Sequence, residues 1–373
     1  MRICMYQLDR IKAAQNLRGF SHSKTAEALD IPLATFKKYL SGERTLPHDF
    51  WKKASQLFNV PLSYFDVKNS TTFSMTEVNF RARARIKASY SNAIAEYISL
   101  AESISLYFSR NIKNLPIFNI LDDYNLDPDS EDSPEIAALR VRSEWGLGVQ
   151  PINNIISLLE LKGIKVFSLP LNVREVDALS ISLDGQPFVL LDTFKSAERT
   201  RFDAAHELAH IFLHIYDTHT PNDDIDYKKR ESEADRFASC FLMPDESFLS
   251  LAPKEMSINN MLKYKNYWRV SLQAVNYKSH KLNLLTDWVY RSNCMKINSL
   301  GYHKNEPYPT HHDQSILYLK LLKLLDEKGN FSVKEMLNEI GISEEDFDNL
   351  TFKSLSLFRE YKDSRRPKLK IVE

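Results

Sequence analysis

The sequence predicts a mainly helical α+β protein of more than one domain, on three observations. At 373 residues the chain exceeds one small core, and its 43% hydrophobic content suffices to fill several. Its 9 glycines are too few for glycine-cornered barrels. Apolar residues recur at three- and four-residue intervals through most of the chain, while β-rich runs are confined to residues 164–191.

Charge and cysteine usage exclude several classes. Lys and Arg total 49, as do Asp and Glu, so no global field drives the chain onto nucleic acid or an anionic membrane. Locally, residues 1–70 carry eleven basic and six acidic side chains, while Asp122, Asp123, Asp127, Asp129, Glu131 and Asp132 form an acidic stretch. Cys4, Cys240 and Cys294 are odd in number and lack CxxC spacing, so neither a disulfide framework nor a thiolate metal site is expected. The first twelve residues meet charge too early for a secretory segment, and no run approaches the roughly 18 apolar residues of a membrane span. A cytoplasmic protein without membrane partners is expected.

From the N-terminus, Cys4, Leu8, Ile11, Ala14 and Leu17 predict a helix ending near Arg18. Ser23 is expected to cap a short helix carrying Thr25, Ala26 and Leu29, and Asp30-Ile31-Pro32 breaks it before a third helix over 33–40 that Gly42 ends. Pro47 opens a further helix with Phe50, Trp51, Ala54, Leu57 and Phe58 on one face, closing at Asn59-Val60-Pro61. These helices define a domain over residues 1–66, followed by a polar linker over 67–77.

A second domain is expected over 78–307. It opens with a long helix over 83–108, and an acidic loop then runs to Pro134. Helices over 135–145 and 151–161 follow, then strands over 164–169, 178–183 and 188–191, with Asp184-Gly185 as a hairpin signal. A helix from Glu198 carries Phe202, Ala205, Leu208, Ala209, Phe212 and Leu213, and another over 229–242 stops at Met243-Pro244. Further helices are expected over 257–265, 271–283, 313–327, 332–340 and 343–360, residues 308–373 forming a helical C-terminal module.

The chemistry concentrates in HELAH. His206 and His210, four apart, lie on one helix face, so two imidazole nitrogens can meet one ion with Glu207 beside it. A catalytic zinc site needs a third protein ligand and keeps one open position, and ESEADRFASCFLMP offers Glu231 or Glu233. Glu231 is preferred, because Asp235 stands four residues on, where it can hold a ligand histidine by its other ring N–H. An error of helix phase would exchange it for Glu233. Zn2+ acidifies water toward neutrality, and Glu207 can take the proton and pass it to a leaving amine, which is peptide hydrolysis. His214 extends the spacing but sits a turn too far to ligate, and reads as structural or pocket-lining. The longer HExxHxxGxxH pattern is absent, since Leu213 and Tyr216 replace its glycine and third histidine. His219, His303, His311 and His312 read as surface or loop residues.

At these residues the chain resembles the ImmA/IrrE family of bacterial metallopeptidases, through RFDAAHELAHIFLH and ESEADRFASCFLMP. The resemblance extends over roughly 78–307 and includes ALRVRSEWGLGVQPINNIISLLELKGIKVF, ISLDGQPFVLLD and WRVSLQAVNYKSHKLNLL. It implies a gluzincin-like peptidase domain with His206, His210 and Glu231 as zinc ligands and Glu207 catalytic. Ala209 stands where the family commonly has glycine. Family members are similar in cleaving a partner repressor, which relieves transcriptional silencing.

SHSKTAEALDIPLATFKKYLSGERTLP resembles a Cro/C1-type (XRE family) helix-turn-helix. The resemblance implies that the third helix enters the major groove, with Thr35, Lys37 and Lys38 at bases or phosphates and Lys24 and Arg44 steering to the backbone. Glutamines frequent at the starts of helices 2 and 3 in that family are missing, Lys24 and Ala34 standing near their places, and a small helical bundle used for dimerisation or for binding another regulator is the alternative. The expectation is therefore a DNA-binding regulator with zinc metalloendopeptidase activity, acting on a partner transcriptional repressor and compatible with a homodimer. Two alternatives stay open: a transcription factor whose peptidase fold senses metal or ligand without turnover, and a toxin–antitoxin component that acts by binding.

Overall fold

The computed structural model describes residues 8–47, 49–66, 87–117, 133–171, 176–214, 224–302, 305–329 and 331–365. Among them the chain runs through α1 (Asp9–Arg18), α2 (His22–Ala28), α3 (Leu33–Leu40), α4 (Phe50–Phe58), a 3-10 turn (Leu62–Phe65) and the long α5 (Ala88–Asn111). Next come α6 (Pro134–Glu144), α7 (Ile155–Leu161), β1 (Lys165–Ser168), β2 (Ala178–Leu183), β3 (Gln186–Leu191), α8 (Ala197–Leu213) and α9 (Asp224–Leu242). The chain continues through α10 (Asp245–Leu251), α11 (Ile258–Trp268), α12 (Leu272–Lys281), α13 (Asp287–Ser299), α14 (Leu317–Glu327), α15 (Val333–Ile340), α16 (Glu344–Leu350) and α17 (Ser354–Arg365). The fold is mainly helical α+β with one three-stranded sheet among the described residues. None of these helices is long and apolar enough to cross a membrane.

Two compact units divide the chain: residues 1–115, 167–170 and 315–373 form one, and 116–166 with 171–314 the other. This differs from the segments read from the sequence, because α5 groups with the N-terminal helices and so do the C-terminal ones. The expected linker over 67–77 and the acidic stretch at 122–132 lie outside the described residues.

In the first unit Ile11, Ala14, Phe36, Phe50, Ala54 and Phe58 are buried and give α1 to α4 a common core. The α2 cap is Ser21, not the expected Ser23: its hydroxyl accepts the Lys24 amide at 3.1 Å, supplying one of the four donors a helix start leaves unpaired. Gln15 donates to Thr25 Oγ1 at 2.7 Å and shares a 2.9 Å hydrogen bond with His22 Nδ1, fixing α1 against α2. Arg18 then grips Asp346 on α16 through two hydrogen bonds of 2.8 and 2.5 Å, which ties the N-terminal helices to the C-terminal ones. The single helix expected over 343–360 is two. Phe352 and Lys353 adopt left-handed φ of 54° and 63°, and Asp348 Oδ1 accepts the Leu355 and Ser356 amides at 2.8 and 3.2 Å to begin α17.

The second unit holds β2, β3 and the two helices that carry the motif residues. β2 and β3 pair antiparallel with Leu183 opposite Gln186, so the connection is Asp184-Gly185, whose positive φ of 48° and 73° suit a tight hairpin turn. The strand order β1-β3-β2 leaves β2 at an edge, and β2 packs on α8. Helices α10 and α13 have no counterpart among the expected elements; α10 follows Pro244 directly and is only seven residues long, too short for a periodicity to register.

Buried cations hold this frame. Arg142, 1% exposed, donates to the carbonyls of Gly148, Phe241 and Gln150 at 2.9, 2.6 and 2.6 Å, fixing the C-terminal end of α9. Arg201 on α8, also 1% exposed, pairs with Asp313 and donates to Ile152 O at 2.6 Å and Arg269 O at 3.0 Å; Arg269 reaches the other Asp313 oxygen at 3.1 Å. Lys265 is fully buried between Glu198 at 3.0 Å and Glu306 at 2.9 Å. Removing one partner of a buried pair strands the other charge. Asp313→Ala should therefore cost about 3–5 kcal/mol, read as a lowered denaturant midpoint of the full chain, whereas a loss below about 1 kcal/mol would mean that Arg201 finds other partners.

Candidate metal centre

Helix α8 begins at a capped turn: Ser196 Oγ accepts the Arg199 amide at 3.2 Å, and Glu198 in the first turn complements the positive end of the helix dipole. Ala204, Ala205, Leu208, Ala209 and Phe212 of α8 are buried, as are Ala234, Phe237, Ala238 and Phe241 of α9. These two helices pack along their length. Trp145 and Phe212 meet edge-on at 5.8 Å, and Phe212 stacks on Phe237 at 6.4 Å, which in turn stacks on Phe241 at 5.7 Å. The aromatic row sets the spacing at which the polar residues of α8 face those of α9. Helix α9 starts at Asp224, earlier than the residue 229 expected.

His206, His210 and Glu231 converge. His210 Nε2 lies 3.0 Å from His206 Nε2, His206 Nε2 is 3.4 Å from Glu231 Oε2, and His210 Nε2 is 3.4 Å from Glu231 Oε1. A tetrahedral zinc roughly 2.0–2.1 Å from each donor needs its donors about 3.3 Å apart. The observed separations match that requirement, and two imidazoles with one carboxylate are the donor chemistry of an open catalytic site. His210 is 9% exposed and the His206 side chain 15%, so the donors are sheltered while the Glu231 side chain remains 30% exposed.

Around this triad each imidazole has a partner on its far nitrogen. His206 Nδ1 is 2.9 Å from Asp235 Oδ1, the arrangement expected from the sequence. His210 Nδ1 is 2.9 Å from His214 Nδ1, and His214 Nε2 is 3.1 Å from Glu233 Oε2. Glu233, the alternative ligand, is thus engaged by His214, while Glu231 closes the triad. His214 is buried and lines the site through a hydrogen bond to His210. Glu207, 8% exposed, accepts a 2.5 Å hydrogen bond from the hydroxyl of Ser180 on β2. Sequence reasoning missed Ser180 because nothing in a strand alternation marks a serine that faces a carboxylate 27 residues away.

The charges are strongly coupled. Burial opposes a charge on His206, yet the hydrogen bonds to Asp235 and Glu231 and the field of Glu207 push its pKa up to about 10. Burial likewise favours the neutral Glu231 carboxyl, but both imidazoles together hold it well below the usual carboxylate range. One turn earlier, burial pushes Asp203 up to about 7, against Arg199 and with help from Asp177 and Glu207.

The residues expected at DNA lie on the N-terminal helices. Lys24, Lys37, Lys38 and Arg44 are exposed and Thr35 is half-buried. Lys24 rests over the Phe20 ring at 4.1 Å and Arg44 over Tyr39 at 5.7 Å. His311 and His312 are exposed, whereas His219 and His303 lie outside the described residues. Cys240 is buried and Cys294 half-buried, each with a free thiol; Cys4 is outside the described residues.

Residues 159–280 match the family model of the IrrE N-terminal-like domain, a peptidase-type family. The matched span runs from the end of α7 to the end of α12 and contains the triad, Glu207 and their partners. At the family level it gives this segment a metallopeptidase-like fold, and it does not reach the N-terminal helices. No curated protein matches the chain.

Because the hydrogen bonds to Asp235 and Glu231 and the field of Glu207 push His206 up to about 10, a cation that takes its Nε2 would displace a proton. Divalent-metal affinity should therefore rise with pH, by about tenfold per unit through neutrality, in competition titrations against a chelator. A pH-independent affinity through neutrality would show that no proton on His206 is displaced there.

Proposed function

We propose that the segment around α8 and α9 is a zinc-dependent metalloendopeptidase centre, and that the chain is a DNA-binding regulator whose substrate is a partner transcriptional repressor. One observation supports the hydrolytic part above all: three donors from α8 and α9 lie at tetrahedral spacing with a further carboxylate, Glu207, next to them and outside the set. The match of residues 159–280 to a peptidase-type family points the same way.

His206 and His210 would hold the ion through Nε2, and Glu231 would hold it through its carboxylate. When bound, zinc supplies Lewis acidity, polarising a scissile carbonyl and acidifying water. Glu207 takes the proton from the attacking water as the new C–O bond forms and delivers it to the amide nitrogen as the C–N bond breaks. Ser180 orients that carboxylate, its hydroxyl donating to Oε2. Asp235 steadies the His206 ring, which keeps its Nε2 turned toward His210 and Glu231, where it would meet the ion.

For the regulatory half, α2 and α3 follow each other across a short turn at Asp30 to Pro32, and α3 exposes Lys37 and Lys38 beside Thr35. Short cationic faces of this kind bind phosphates and place a helix in the major groove. DNA binding then concentrates the enzyme near a repressor bound at the same locus.

Co-expression of the chain with neighbouring regulators tests the proposal. Cleavage should be seen with the wild type and fall by about 10²–10⁴-fold in Glu207→Gln, whose zinc content stays at the wild-type level. His206→Ala should lose zinc and cleavage together. Full cleavage by Glu207→Gln overturns the assignment of the base. For DNA, Lys37→Ala should weaken binding across sequences and reduce the slope of log K against log salt by about 1. Binding indifferent to both salt and Lys37 removes the helix-turn-helix reading.

A further inference from the structure

We propose that His214 and Glu233 are positioning residues for the metal centre, forming a hydrogen-bond relay that locks the His210 ring with a bare Nε2 facing the cation. The proposal rests on the zinc-peptidase reading and deepens it by assigning two residues that carry no role in proton transfer.

The direction of the relay follows from donor and acceptor matching. A neutral imidazole has one N–H and one bare nitrogen. If His210 Nε2 binds the ion, its proton sits on Nδ1 and can only donate, across 2.9 Å, to His214 Nδ1. His214 Nδ1 is then bare and its proton sits on Nε2, where it donates to Glu233 Oε2 at 3.1 Å. Each of the two bonds receives one donor and one acceptor, and the chain ends on a carboxylate, which accepts only. The reversed chain would need Glu233 to be protonated and would leave a proton on His210 Nε2, where the ion must sit.

Burial shows why the intermediary is needed. The outer partner of His206 is Asp235, whose side chain is 61% exposed, whereas the His210 and His214 rings are 9% and 6% exposed. At this depth an unpaired N–H is costly, and an imidazole carries the hydrogen bond outward to Glu233, 26% exposed and within 3.9 Å of Lys229. The backbone of His214 has a separate duty: its amide donates to His210 O at 3.1 Å and closes the last turn of α8. That duty belongs to any residue at the position, so ring and backbone can be separated by substitution. Helix α9 thereby supplies three carboxylates with three uses: Glu231 on the ion, Asp235 behind His206 and Glu233 behind His214.

Zinc affinity of the full chain, measured by competition with a chromogenic chelator and set beside the thermal midpoint of the metal-free protein, separates these roles. His214→Phe keeps the ring volume and the backbone amide but removes the relay. It should weaken zinc binding by about 10–100-fold, while the metal-free midpoint is unchanged. His214→Asn, which restores an acceptor near the Nδ1 position, should recover most of that loss. Glu233→Ala, at a more exposed site, should weaken zinc in the same direction and keeps the test decisive if His214→Phe does not fold. Cobalt-loaded His214→Phe should also show a shifted visible spectrum, which a purely structural role would not move. Wild-type zinc affinity in folded His214→Phe or in Glu233→Ala overturns the relay while leaving the peptidase reading intact, and so does an Asn variant as weak as Phe. Wild-type protein that takes up no zinc overturns both.

Discussion

The packing of α8 against α9 is the constraint on which the site depends. Neither helix holds a metal site alone: α8 brings imidazoles at four-residue intervals, and α9 brings carboxylates at positions 231, 233 and 235. Only a fixed spacing and rotation between the helices turns these rows into contacts of 2.9–3.4 Å. That spacing comes from apolar chemistry, from buried alanines that let backbones approach and from the aromatic row of Trp145, Phe212, Phe237 and Phe241. The polar site is a consequence of a core that excludes water on one side and leaves the glutamates on the other.

The arrangement also resolves an electrostatic problem. Five carboxylates, those of Asp203, Glu207, Glu231, Glu233 and Asp235, gather around three imidazoles. The surrounding acids push the pKa of His206 up, and the two imidazoles hold Glu231 well below the usual carboxylate range. Such a cluster suits a divalent charge, which would replace the proton and relieve the repulsion among the acids. Ser180 is a neutral donor to Glu207 and comes from strand β2, so the sheet contributes to the site as well as to the core.

Much of this was legible in residue spacing. The four-residue interval in HELAH is a local property of any helix, so His206 and His210 follow from it without tertiary information. Glu231 followed from one further step, the presence of Asp235 on the same face, and the structure brings both to the expected partners. What stayed hidden depends on how separate elements meet. Ser180 is invisible because its partner is set by the packing of β2 on α8. Helix geometry sets His214 a turn beyond His210, but its link to Glu233 needs the register between α8 and α9. The cap of α2 moved two residues, from Ser23 to Ser21, since either serine satisfies the pattern and only backbone conformation separates them. The break within 343–360 has no glycine or proline to announce it; Phe352 and Lys353 take left-handed conformations under tertiary constraint, with Asp348 capping the helix that follows.

The central claim is that one divalent ion is shared by two imidazoles and one carboxylate. X-ray absorption at the zinc edge of the loaded full-length protein tests it most directly. The account predicts four nitrogen or oxygen scatterers at about 2.0 Å, with an outer-shell pattern that counts two imidazoles, and no sulfur near about 2.3 Å. A shell with one imidazole or none, or with a thiolate, would contradict it.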